Sequence, residues 1–392
     1  MPPFLLSCLA YLGVALPGST LGLLWPSMRM SIHEPVGALG VVLAAGVAAS
    51  AVSSATTGRI LRTRSPGPTL AIGAALISLA LAVEAAASWL WLIAAGSAVF
   101  SIGFGAVDTA LNVYAAAHFG PKAINWIHAS YGLGATLGPL LVTALLAAGA
   151  DWRAALASMA AVTAAIVVVA AVARHKWNVP PADFPAPERA ALTPHRPGIL
   201  PSVLFTAVET GVESAAGIWG YAFLTSGRGL SPVAAGIVVS AYWAMMFVGR
   251  VLLGPVAQRA GASHVLALAV VGVPGGALLM ALPLPAGFAV AGMAVLGLAA
   301  APVFPLITLV TGGSRGEGPD GGAATAVGLQ VAASAVGSAA LPSAVGLAVG
   351  AFGGSAVGPS LLTLSLAMCA VYWAALRILL APCGVGPAVA GP

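Results

Sequence analysis

Charge is what this chain has least of. Of its 392 residues, 6% are Asp, Glu, Lys or Arg, 60% are hydrophobic, and mean hydropathy is +1.02. Soluble domains carry roughly 25% charged residues, so no water-facing surface of this size can be built from such a sequence. Cysteine is nearly as scarce. Cys8, Cys369 and Cys383 are an odd number, far apart, and exclude a disulfide framework or a metal-spaced set. The sequence has no Walker loop, no Gly-x-Ser-x-Gly and no clustered His or Cys. We therefore expect no enzyme, no cofactor, no metal and no nucleic-acid partner. The glycine-rich run Gly312–Gly318 lacks a following Lys-Ser/Thr and reads as a connector. Short alternating segments are missing as well, which argues against a β-barrel. No basic stretch precedes the apolar run at Phe4, so no cleavable signal is expected.

What the chain does have is apolar length and small residues. Glycine numbers 49, which suits membrane helices packed backbone to backbone. A bilayer is crossed by about 20 apolar residues. Twelve such runs are readable: 4–28, 36–58, 69–88, 90–117, 123–149, 152–174, 198–225, 232–257, 263–282, 285–311, 322–348 and 353–380. The long polar stretch Arg174–Pro197 carries charges and prolines and reads as a linker. The expected fold is an all-α membrane protein of two six-helix bundles, residues 1–174 and 198–392, joined by a cytoplasmic linker, 175–197. Cytoplasmic loops of membrane proteins are rich in Lys and Arg. With the N-terminus inside, twelve of these residues lie at the cytoplasmic side, and Arg29, Arg153 and Arg228 lie outside. The expectation is a multi-pass, monomeric protein of the inner (plasma) membrane with both termini cytoplasmic and lipid as its surround.

The halves repeat. Gly58 after the second run and Gly254 after the eighth are 196 positions apart. Gly134 precedes Pro139 by five, as Gly337 precedes Pro342. Landmarks matched in this way point to parallel repeats with a site near the midplane between them.

Polar residues inside the apolar runs mark that site. A charge at the bilayer centre costs ~2.5–3.5 kcal/mol on insertion scales and persists mainly beside a cavity or a partner. Asp108 and Asn112 are four apart and share a helix face; Asn125, His128 and Tyr131 are three apart and do likewise. Glu209 and Glu213 share a face of the seventh span. A buried carboxyl favours its neutral form, and two at this spacing repel when both are ionised. Asp108, Glu209, Glu213 and His128 are thus candidates for coupling a proton. Asn112, Asn125 and Tyr131 offer neutral donors and acceptors to a solute, and Trp219, Tyr242, Trp243 and Gln330 extend the set in the second half. Asn125 could also cap its helix. Glu84 ends the third span and is expected to be solvated; Arg250 is expected to anchor the cytoplasmic end of the eighth.

With this layout and the glycine–arginine loops, the chain resembles the major facilitator superfamily. The loop signature of that superfamily is Gly-x-Leu-x-Asp-Arg-x-Gly. Gly254, Arg259 and Gly261 fit it, with Gln258 in the Asp place; Gly58 and Ile60 fit in the first half, where Arg62 and Thr63 replace Asp-Arg. A narrower resemblance, to the fucose–galactose–glucose:proton symporters and their sugar-transporter-like relatives, rests on three stretches. They are Asp108-x-x-x-Asn112, then Asn125-Trp126-x-His128-x-x-Tyr131-Gly132-x-Gly134, then Gly138-Pro139. Glu209, Gly211, Glu213, Trp219 and Tyr221 also look like that group. It implies a secondary active transporter of a small polar solute, a sugar or sugar-like compound, driven by protons. The alternatives are a proton-driven drug or metabolite antiporter, whose signature ends Gly-Pro-x-x-Gly-Gly where this chain has Val142-Thr143, and a sodium-coupled symporter.

Overall fold

The computed structural model describes residues 2–61, 63–119, 121–177, 199–313 and 322–380, and among them the chain is helical with no strand. The first span is two helices, α1 (Pro3–Gly18) and α2 (Leu21–Ser31), bent by 40°. Pro17 near the end of α1 cannot donate a main-chain bond, and the Thr20 hydroxyl caps the Pro17 carbonyl at 2.8 Å. The first half is completed by α3 (Leu39–Ile60), α4 (Pro66–Ala85), α5 (Leu90–His118), α6 (Pro121–Ala147) and α7 (Trp152–Ala173). The second half starts with α8 (Ile199–Ala222), followed by α9 (Pro232–Ala260) and α10 (Ala262–Ala281). Its tenth span is broken into α11 (Ala286–Ala300) and α12 (Val303–Gly313), and α13 (Gly322–Phe352) and α14 (Val357–Leu380) close the bundle. Among the described residues, ten segments are long and apolar enough to cross a bilayer, and the bent α1–α2 pair makes an eleventh. The twelfth is α8, polar in its middle, which holds its place by packing on α13 and α14.

Local chemistry sets the helix ends. Asp151 caps α7 by accepting from the Ala154 amide at 2.8 Å, and Ser231 caps α9 the same way at 3.3 Å. Proline opens α4 and α9, where its missing N–H costs nothing. The chain turns into α7 through Gly149 at φ 87°, a region that favours glycine.

The repeat seen in the sequence is a packing repeat. A Cβ on Gly134 of α6 would press on the Leu12 carbonyl of α1, and a Cβ on Gly337 of α13 would press on the Ala207 carbonyl of α8. Each bundle thus presses its first span against its fifth through bare main chain, as small residues permit in lipid. Lipid-facing positions carry exposed apolar side chains such as Ile72, Val168, Leu268 and Leu347.

The stretch read as linker is ordered at its start. Arg174–Trp177 forms a 3₁₀ turn; Trp177 is buried and donates from Nε1 to Ser7 Oγ at 3.3 Å, while Tyr114 donates to the Lys176 carbonyl. An apolar indole offered a burial site outweighs the polar composition around it. The remainder of the linker expectation, and Arg62, lie outside the described residues.

Candidate functional site

Helix antiparallelism brings the candidate groups to one depth. Asp108 lies ten residues before the end of α5 and Arg250 ten before the end of α9; Tyr131 and Glu209 lie ten after the starts of α6 and α8. All four helix ends belong to the face where α1 begins, called here the N-terminal face. At 1.5 Å per residue the four sit about 15 Å below it, halfway through a hydrocarbon core of roughly 30 Å.

In the first bundle Tyr11 of α1 donates its hydroxyl to Asp108 Oδ1 at 2.8 Å and accepts from Asn112 Nδ2 at 2.9 Å. Asn112, one turn on, also donates to the Asp108 carbonyl at 3.0 Å. The His128 ring stands 5.3 Å from that of Tyr11, and Tyr131 packs edge-on to both Tyr11 and Phe104 at 6.2 Å. In the second bundle Arg250 pairs with Glu213 at 3.7 Å. Tyr242 donates to the Glu213 main-chain carbonyl at 2.9 Å, and Thr210 donates to Glu209 Oε2 at 3.1 Å. Charge links the bundles: His128 lies within electrostatic reach of both Asp108 and Arg250, and Tyr131 within reach of Arg250, Asp108 and Glu213.

The layer is built with spare valence. Glu209 Oε1, Arg250 Nε and Trp243 Nε1 are buried and have no hydrogen-bond partner among the described residues. Bare buried groups cost about 1–3 kcal/mol each, so a transit site is where they are tolerated. The Arg250 and Glu213 side chains are 30% and 17% exposed, so water reaches the pair.

The sequence candidates divide. Asp108, Asn112, His128, Tyr131, Glu209, Glu213 and Tyr242 converge on this layer. Trp243 lies beside it, packed on Tyr242 at 5.3 Å and on Gly217. Trp219 does not join. Its Nε1 donates to the Pro342 carbonyl at 2.7 Å and its ring fills the space over Gly346, which makes it a brace between α8 and α13. Gln330 is fully buried, and its carbonyl accepts from Thr206. The side chain of Asn125 lies outside the described residues. Two expectations are corrected. Arg250 is no terminal anchor but a mid-depth partner of Glu213, because α9 runs ten residues beyond it. Glu84 is not solvated: its side chain is tucked against Gly96 of α5, where a missing Cβ leaves room for it. Tyr11 was not singled out from the sequence; its signal was a phenol eight residues into an apolar run.

A cavity of about 290 Å³ leads from this layer toward the far face. Tyr131 and Phe104 form its inner end, Leu81 and Glu84 its outer end, and Ser214 of α8 and Ser338 of α13 complete its wall. Beyond it the bundles are zipped. A Cβ on Gly22 would stand 2.7 Å from Ile218 Cα, and one on Gly40 would stand 3.4 Å from Ser343 Oγ; Thr143 fills the space over Gly236. At the N-terminal face, among the described residues, nothing beyond their own helix backbone lies within 4 Å of where a Cβ on Gly58 or Gly254 would point. The conformation is shut at the far face.

The family model described as Major Facilitator Superfamily matches residues 4–342. No curated protein sequence matches the chain. Solved structures do. The nucleoside transporter NupG is 16% identical, with 96% of this chain and 99% of that one covered and a TM-score of 0.73. A bacterial homolog of the human lysosomal transporter Spinster, inward-facing and occupied, is 14% identical, with 96% of each covered and a TM-score of 0.77. A mutant of the E. coli fucose:proton symporter FucP is 17% identical, with 95% and 98% covered and a TM-score of 0.65. At such identities the likeness is one of fold.

Proposed function

The chain belongs to the Major Facilitator Superfamily, and on that premise we propose that it carries a sugar or sugar-like solute across the membrane in symport with protons. The membrane is the plasma membrane, the N-terminal face is cytoplasmic, and the carrier works as a monomer. Asp108, Glu209 and Glu213 bind the coupling proton. Asn112, Tyr131 and Tyr242 supply neutral hydrogen-bonding groups, and Trp243 a ring edge.

The observation that carries this reading is the mid-depth layer. Three carboxyl groups from both bundles lie within a helical turn of one level, together with His128 and Arg250, which are within electrostatic reach of each other across the interface. A carrier of this architecture rocks its bundles about such a site, and the proton drives the cycle only through unequal affinity for the two states. We assign that inequality to Arg250, which in this far-face-shut conformation lies within electrostatic reach of Tyr131 and His128 of the other bundle and pairs with Glu213 of its own; rocking of the bundles changes the first relationship and leaves the second in place. Pro139 in α6 and Pro342 in α13, each without a main-chain donor, are points at which the spans flex as the bundles rock.

The test is uptake by proteoliposomes under an imposed pH gradient, with hexoses, nucleosides and hydrophobic cations as solutes and with sodium present or absent. Hexose uptake that follows the pH gradient and ignores sodium is the expected result. Uptake that follows sodium alone, or cation export, overturns the assignment.

A further inference from the structure

Glu84 is 7% exposed and lines the 290 Å³ cavity, 24 residues along the chain from Asp108 and near the far end of α4. Its carboxyl has no hydrogen bond or ion pair among the described residues, and no basic residue among them lines the cavity with it. Three of the hydroxyls around it are committed as donors: Thr20 donates to the Pro17 carbonyl at 2.8 Å, Ser97 to the Val42 carbonyl at 3.3 Å and Ser338 to the Ala335 carbonyl at 2.9 Å. Those three oxygens are left to accept from whatever enters, while, among the described residues, Ser101 and Ser214 keep free hydroxyls for a solute's own oxygens. The cavity sets hydroxyl groups around one unpartnered carboxyl, walled by Phe100, Phe104 and Met28.

We propose that this cavity is a solute pocket distinct from the mid-depth layer, and that Glu84 anchors the ammonium group of a small amine-bearing solute in it. A neutral hydroxyl offsets only part of the cost of a buried carboxylate, whereas a cation cancels the charge itself. A volume near the low end of the roughly 300–1,000 Å³ of small-molecule sites suits one small solute. The pocket touches the layer at Tyr131, which packs on Tyr11 and so on the partner of Asp108. The inference refines the solute class of the proposed carrier and rests on that reading for transport alone.

The experiment is equilibrium binding to purified full-length protein near neutral pH, by thermal shift, with glucosamine against glucose and ethanolamine against ethylene glycol. Expected is that each cation binds at least about tenfold tighter than its neutral counterpart, since charge-assisted bonds are about twice as strong as neutral ones. Glu84→Gln should erase that preference and Glu84→Asp should keep part of it, each variant being checked for monodispersity and helix content. Equal binding of charged and neutral probes, no binding of either cation, or a preference that survives in Glu84→Gln overturns the proposal and leaves Glu84 a packing side chain. Asp108→Asn, assayed in parallel, separates the two readings: it should abolish pH-driven uptake and leave cation binding in place.

Discussion

Tyr11 donates its phenol hydroxyl to Asp108 across the α1–α5 interface at 2.8 Å. The same oxygen accepts from Asn112, so one hydroxyl ties a carboxylate to an amide one helical turn away. A carboxyl that changes protonation during a cycle needs a donor that holds it in one state and releases it in the other, and Tyr11 is placed to be that donor.

Tyr11→Phe keeps the ring and its contacts with His128 and Tyr131 but removes this bond. A lost bond to a buried acceptor costs about 1–3 kcal/mol, which corresponds to a change of roughly 5–150-fold in a coupled equilibrium. Uptake driven by a pH gradient should fall within that range, while the yield of folded protein stays unchanged. Initial rates in proteoliposomes measure the first, and size-exclusion chromatography the second.

Asp108→Asn and Glu209→Gln should each abolish pH-driven uptake and leave the protein folded, because both substitutions preserve shape and remove only the titrating proton. Unchanged uptake in both variants would refute coupling through these acids.

Removing one member of the Arg250–Glu213 pair should harm the protein more than removing both. Arg250→Ala strands Glu213 beside Glu209. Because the pair is partly open to water, the loss of stability is set at about 1–3 kcal/mol, below the 3–5 typical of a fully buried pair. Arg250→Ala combined with Glu213→Gln should recover part of it. A double-mutant cycle on thermal melts gives the coupling, and additive effects would show that the two side chains do not act as a unit.

Gly22→Leu should hold the far face open. The main chain of Ile218 stands where the new side chain must go, and main chain has no rotamer by which to move aside. Labelling of a cysteine placed at Ser338 by a membrane-impermeant maleimide added from outside should rise several-fold over the same cysteine in the Gly22 background. Unaltered labelling would mean that the zipper is not the gate.

Apolar run length alone was enough to read the spans. The reading 90–117 compares with Leu90–His118, and 232–257 with Pro232–Ala260. The carboxylates and amides of the layer were legible too, because an acid in oil is conspicuous. Their partners were not. Tyr11 is a common residue in a membrane run, and nothing in its spacing announces that α1 turns its hydroxyl toward α5. Arg250 was misread because a cation late in a run suggests its boundary, although the run 232–257 already continued seven residues past it and α9 continues to Ala260. Glu84 was misread for a related reason: nearness to a helix end suggests water, but the end is covered by α5 at Gly96, a notch visible only in three dimensions.

Where Gly22 meets Ile218 the far-face seam joins main chain to main chain, and elsewhere it uses short side chains, Ser343 over Gly40 and Thr143 over Gly236. Surfaces of that kind have few torsions to freeze on meeting and few to free on parting. Opening this carrier should thus be limited by the drag of lipid and the bending of its kinked spans, and its turnover should depend on membrane fluidity more steeply than on any single latch residue.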